Sequence, residues 1–380
     1  MDFSKFDFKN IKLRTRHFEF EEIEDGFIVR DPFGFFDDLF FTQYAIILLS
    51  LFNGNRTIDE VKTEFFKITN ILLSEQEIVD FIKMMDEYYL FYNERFINKV
   101  EEERKKLLNL EYKKITLVEN ITQLKNFIKE NLTDETEENL IGLIVPHIDV
   151  KIAMDLYLKT YAKIKKTKRR IFFIFGVAHS LHLTPFSIFP RDYYTDKIVR
   201  VNKEILEKIQ RQFGYEIDYD VLAYRNEHSV EFPIIFLDSF LEDITIIPSI
   251  IAYTNKKDDL KIISERIYKA IEPYKDEIFF ISSIDLSHVG KKFGDKFYFD
   301  TKEVDLMYID MLSNLKNDEA FDFLSKCENQ TRIDGQFTNY VFLEVLKMIG
   351  TSKGKLIDYR NYYESLTDSG VSYCSVGFYI

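Results

Sequence analysis

The 380 residues contain no tryptophan, two cysteines, seven prolines, thirteen glycines and six histidines. Two cysteines, Cys327 and Cys374, are too few for a disulfide framework or a cysteine-based zinc site, and they fit a reducing cytoplasm. A Gly-rich phosphate loop, a G-x-S-x-G elbow and an H-E-x-x-H pair are all missing. Nucleotide hydrolysis, α/β-hydrolase chemistry and thermolysin-like zinc chemistry therefore lack their signatures. A basic surplus is also missing. With 51 Lys+Arg against 64 Asp+Glu the formal charge is −13, which argues against nucleic acid while leaving room for a local basic pocket. The longest apolar stretch, Tyr44–Phe52, is about half of the roughly 20 residues that span a bilayer. The opening Met1-Asp-Phe-Ser-Lys5 has no apolar h-region. The expectation is a cytoplasmic protein with neither a membrane nor a nucleic-acid partner.

What is present is apolar bulk, 46% of the residues, and a length that suggests two or three domains at roughly 100–200 residues each. Residues 1–95 form one pattern. Phe27-Ile-Val-Arg-Asp-Pro-Phe-Gly-Phe-Phe-Asp37 reads as two short strands around a turn. Phe40–Phe52 has helical spacing and ends at Asn53-Gly54. Thr57-Ile-Asp-Glu60 and Ser74-Glu-Gln-Glu77 have the capping-box form and open two further helices. A hairpin followed by three short helices is the outline of a small winged-helix-like domain. It resembles the PqqD-like peptide-recognition fold, which implies binding of a peptide along its strand and third helix. Residues 96–136 are dense in charge and read as a solvated helical linker.

From residue 137 the pattern changes to α/β. Ile141-Gly-Leu-Ile-Val-Pro146, Arg170-Ile-Phe-Phe-Ile-Phe-Gly176, Ile244–Pro248, Glu277–Ser283 and Cys374–Tyr379 read as buried strands. Val150–Lys163, Ile198–Phe213, His228–Leu241, Leu260–Ile271, Glu303–Leu315, Ala320–Lys326 and Gln336–Met348 read as helices. Their alternation predicts a largely parallel or mixed sheet flanked by helices.

Five of the six histidines fall between Pro146 and His288, His17 being the exception. His147 and His179 each follow an apolar strand, where side chains meet at the carboxyl edge of a sheet. His288 also follows a strand, with Asp285 and Ser287 beside it to orient an imidazole. His228 stands between Glu227 and Glu231 at a predicted helix start, and His182, which follows no strand, reads as a surface residue. Two imidazoles and a carboxylate suit non-haem Fe(II), and zinc accepts the same set.

Val-Pro-His147, Phe-Gly-Val-Ala-His179-Ser, Glu227-His-Ser-Val-Glu231 and Ser283-Ile-Asp-Leu-Ser-His-Val-Gly290 resemble, in order, the blocks of the Memo family. The resemblance covers roughly residues 139–380, and Ser-Val-Gly-Phe-Tyr379 fits that family's last strand. It implies the fold of class III extradiol dioxygenases, with His147 and His179 as metal ligands, His288 as an acid–base imidazole and His228 as a further pocket residue. The family's third ligand is usually a cysteine in a Cys-Gly pair, where this chain has Asp334-Gly335 and Cys327 stands seven residues too early. Asp334 then completes a two-histidine, one-carboxylate triad, or else marks a lost site. A hard oxygen ligand favours Fe(II), with Zn, Mn or Cu as other candidates. The expected activity is that of a non-haem-iron oxidoreductase acting on a small molecule or peptide. The resemblance also implies AMMECR1-type and radical-SAM partners. The alternative is a peptide-binding module that uses the same cleft without turnover, and a metal-dependent hydrolase stays open.

Overall fold

An aspartate-centred aromatic turn organises the amino-terminal unit. The computed structural model describes residues 8–180 and 182–380, and the chain divides after Leu107 into two units. In the first, β1 (Glu19–Ile23), β2 (Gly26–Arg30) and β3 (Leu39–Phe41) form an antiparallel sheet. Helices α1 (Gln43–Leu51), α2 (Ile58–Thr69), α3 (Glu75–Glu87) and α4 (Glu94–Leu108) follow. Both capping boxes form, at Thr57/Glu60 and Ser74/Glu77. Residues 27–37 do not make two strands. Asp31 accepts the backbone N–H groups of Phe33 and Phe35, turning the chain, and pairs with the buried Arg16 at 2.8 Å. The Arg16 guanidinium lies over the rings of Phe33, Phe36 and Phe96. These aromatics serve an arginine, so their β-like composition misleads. The second strand of the expected hairpin is instead β1, and β3 takes Phe40 out of the predicted helix, which Thr42 caps.

The second unit begins with β4 (Tyr112–Lys114), α5 (Ile121–Asn131), β5 (Leu140–Val145), α6 (Val150–Tyr161) and β6 (Ile171–Val177). Next come β7 (Phe186–Ile188), β8 (Asp192–Tyr194), β9 (Ile198–Val201), α7 (Lys203–Gln212), α8 (His228–Phe240) and β10 (Thr245–Ile251). The chain closes with α9 (Lys257–Ile271), β11 (Ile278–Ser283), β12 (His288–Gly290), α10 (Lys302–Ser313), α11 (Asn317–Lys326), α12 (Gln336–Ile349), β13 (Lys353–Glu364) and β14 (Ser369–Tyr379). Among the described residues its strands form one mixed sheet in the order β12-β14-β5-β11-β6-β10-β9-β8-β4, with β13 paired to β14 and β7 to β10. β5, β11, β6 and β10 run parallel to one another. Every residue of β5, β6 and β11 is buried, because helices cover both faces. Among the described residues no helix is long and apolar enough to cross a membrane.

Two readings of the sequence need correction here. Ile198–Phe213 is not one helix. The alternating, β-branched Ile198–Val201 is β9, beside β10, and Asn202 then caps α7 by accepting from the Ile205 N–H. Residues 108–136 are not a solvated linker either, since β4 pairs with β8 and its charges are buried in pairs. Lys113 meets Glu231 of α8, and Lys125 meets Asp196 and Asp238. Composition reveals charge but not its partner.

Burial drives the Glu231 carboxyl up to about 7, against the pull of Lys113. Lys113→Met strands that carboxylate and should cost about 3–5 kcal/mol in urea unfolding, whereas Lys113→Met with Glu231→Leu should cost clearly less. Equal losses in the two variants would show that the pair is not the source.

Candidate metal centre

β11 lies between β5 and β6, so the residues that follow all three strands emerge at one edge of the sheet. His147 follows β5, His179 follows β6, and Asp285 and His288 follow β11. Two glycines let the remaining groups approach. A Cβ on Gly176 would stand 2.5 Å from Ser229 Oγ, so the start of α8, with His228, packs directly on β6. A Cβ on Gly335 would stand 2.9 Å from Ile284 Cβ, so the Asp334 loop lies against the end of β11.

Each group is held by an atom on its far side. The buried His147 is near enough for Nδ1–H to donate to the Ser283 carbonyl at 3.1 Å, and its backbone N–H donates to Asp285 Oδ1 at 3.0 Å. His179 Nδ1 donates to Glu227 Oε1 at 2.9 Å. Glu227 Oε1 also accepts from the Ser229 backbone and hydroxyl as it caps α8. Asp334 Oδ1 accepts the Asp285 N–H at 2.9 Å. The inner atoms, His147 Nε2, His179 Nε2 and Asp334 Oδ2, are left to face one another. Nε2 of His147 is 2.9 Å and Nε2 of His179 is 3.9 Å from Asp334 Oδ2. Among the described residues Oδ2 has no hydrogen bond of normal geometry, so its contact with His147 is an ion pair and not an aligned hydrogen bond.

His228 joins this group. The imidazoles of His147, His179 and His228 lie with ring centroids 4.3–4.8 Å apart, and each offers a nitrogen within 4.8 Å of the others. Burial and the repulsion of its two neighbours push His228 down to about 3, so it is a neutral ring with a lone pair to give. Glu227 is held down at about 2: burial opposes its charge, but the His179 hydrogen bond and the nearby imidazoles outweigh it. Burial likewise opposes charge on His147, yet Asp285 and Asp334 overcome it and lift the imidazole to about 10. The centre therefore demands a positive charge between its inner atoms. A divalent cation supplies it with the donor set that such an ion prefers, imidazole nitrogen and carboxylate oxygen. The residues fit a metal.

His288 lines the same cavity of about 830 Å³ as the three imidazoles, together with Phe232 and Phe293. Its Nδ1 donates to the carbonyls of Leu286 and Arg332, leaving Nε2 for the cavity. Asp285 and Ser287 do not orient it, contrary to the sequence reading: Asp285 holds His147, and Ser287 donates to Asp305. His182 is half-buried rather than a surface residue, and its Nε2 is buried without a partner. Neither cysteine belongs to the imidazole cluster. Cys327 caps the end of α11, and Cys374 is buried in β14 with its thiol pushed up by burial. Sequence reasoning missed two contributions: Asp285 as the brace of His147, and Leu117–Asn120 as cavity wall, hidden in the charge-dense stretch.

A family description, "Memo-like protein", matches residues 116–377. The chain belongs to the Memo family. A MEMO1 family protein of Aquifex aeolicus is 43% identical over 376 residues, covering 97% of this chain and all of that relative. A Thermus thermophilus member is 26% identical over 330 residues, covering 83% and 97% of the two chains. A Thermococcus onnurineus member is 22% identical over 275 residues, covering 68% and 93%. The Memo match begins earlier than the roughly 139 expected and takes in the Leu117–Asn120 wall. The Aquifex relative spans nearly the whole chain, so the amino-terminal unit is not peculiar to this protein.

Glu227 makes a test of the imidazole geometry. In protein reconstituted with Co(II), Glu227→Gln should weaken the metal about 10–100-fold, because the amide no longer fixes the His179 tautomer. Competition against a chromophoric chelator measures it, and an unchanged affinity would show that Glu227 only caps α8.

Proposed function

We propose that the second unit is a mononuclear non-haem-iron oxidoreductase that acts on a small molecule in the cavity beside the metal. His147, His179 and Asp334 are the ligands, with His228 as the third imidazole of the set. The observation that carries this reading is the convergence of His147 Nε2, 2.9 Å away, and His179 Nε2, 3.9 Å away, on the buried Asp334 Oδ2. The Ser283 carbonyl behind His147 and the Asp285 N–H behind Asp334 turn these inner atoms toward each other. Oxygen in place of thiolate suits Fe(II) better than copper.

Bound there, the ion would supply a redox-active Lewis acid with open positions. The chain's own residues do the rest. Glu227 and the Ser283 carbonyl keep the Nδ1 atoms protonated and the Nε2 lone pairs turned inward. His288, fixed through Nδ1, presents Nε2 to the cavity as the group that moves a proton. Phe232 and Phe293 give the cavity beside the imidazoles an apolar wall against which a substrate's apolar part can rest. AMMECR1-type and radical-SAM proteins belong to this reading as partners, on the strength of the family resemblance.

The test is elemental analysis of anaerobically purified protein. About one iron per chain is expected, with His147→Ala plus His179→Ala or Asp334→Asn losing most of it and His288→Ala keeping it. Protein without stoichiometric metal, or a double histidine variant with unchanged content, would leave the peptide-binding module as the better account.

A further inference from the structure

Two lysines line the metal cavity without a direct ion-pair partner among the described residues. Lys151 stands in the first turn of α6, and Lys292 follows β12. Both are exposed, and neither ammonium makes a hydrogen bond or ion pair among the described residues. Lys113, Lys125, Lys163 and Lys257, by contrast, each meet a carboxylate. Acids also line the cavity, but they are mostly committed. Asp149 caps α6 by accepting the Lys151 N–H at 2.8 Å, and the buried Asp285 braces His147. Glu119 is exposed and has no such fixed role, so of the three carboxylates in the lining it alone is free to meet a lysine. Much of the remaining wall is apolar, including Leu117, Val118, Phe232, Phe293 and Val371.

We propose, resting on the metal-centre reading above, that the substrate is an amphiphilic anion. Its carboxylate or phosphate is gripped by Lys151 and Lys292, and its apolar body lies between Phe232 and Phe293. Charge-assisted hydrogen bonds from two ammoniums are the strong contacts available to such a head group. A cavity of about 830 Å³ admits an organic molecule of this kind rather than an inorganic anion alone.

The probes are phenylacetate, phenyl phosphate and the neutral phenylacetamide. Each is titrated calorimetrically into metal-loaded wild type, Lys151→Gln/Lys292→Gln and His147→Ala/His179→Ala. At least one anion should bind wild type about tenfold more tightly than the amide, and the lysine variant should lose about that factor without a change in melting temperature. The better of the two anions identifies the head group as carboxylate or phosphate. Equal affinity for anion and amide, or no binding by any probe, overturns the proposal. So does anion binding that survives in the lysine variant and vanishes in the histidine variant, since the metal would then be taking the anion. Lysine-dependent binding by wild type found free of metal would support this subsite while removing the metal reading, so the two fail separately.

Discussion

The second unit depends on a confrontation between atoms of like polarity. His147 Nε2 and Asp334 Oδ2 are held at 2.9 Å by groups behind them: the Ser283 carbonyl on one side and the Asp285 N–H on the other. Neither can retreat without breaking a buried hydrogen bond, which costs about 1–3 kcal/mol. A proton or a cation must sit between them, and Asp285 together with Asp334 lifts the His147 imidazole to about 10 against the cost of burial. The nearby His179 and His228 rings, with Glu227 behind His179, make a cation the better occupant, because three imidazoles cannot share the space while protonated.

Such a cluster is expensive in a folded chain, and its surroundings show how it is sustained. β5, β11 and β6 are buried along their whole length and bring Val145, Ser283 and Val177 to a common edge with little freedom to move. Gly176 and Gly335 are the two places where a side chain would push α8 or the Asp334 loop away from that edge. The site is precise because rigid strands carry it, while loops supply Asp334 and the Leu117–Asn120 wall.

Much of this was legible in the sequence, for physical reasons. A strand buried on both faces has to be apolar throughout, so the central strands declared themselves. A histidine just past such a strand has few places to go, so the convergence of His147 and His179 followed. The capping boxes at Thr57 and Ser74 are local chemistry and formed as read. What sequence hid was long-range pairing. Lys113 and Lys125 looked solvated because their carboxylates stand more than a hundred residues away on α8. Asp285 was read as a partner of nearby His288, but the fold gave it to His147 across the sheet. β13, rich in Lys and Tyr, is a strand because it pairs with β14 along its length, which periodicity does not show. The nitrogen of His228 in the imidazole cluster follows from the close approach at Gly176, a contact with no signature in the chain.

Asp334 offers an oxygen at the position where the family resemblance implies a thiolate, which puts the central claim within reach of one spectrum. X-ray absorption at the metal edge of anaerobically purified protein should show a first shell of nitrogen and oxygen at about 2.0–2.2 Å with imidazole scattering beyond it. A sulfur shell near about 2.3 Å, or a spectrum without imidazole, would contradict the account.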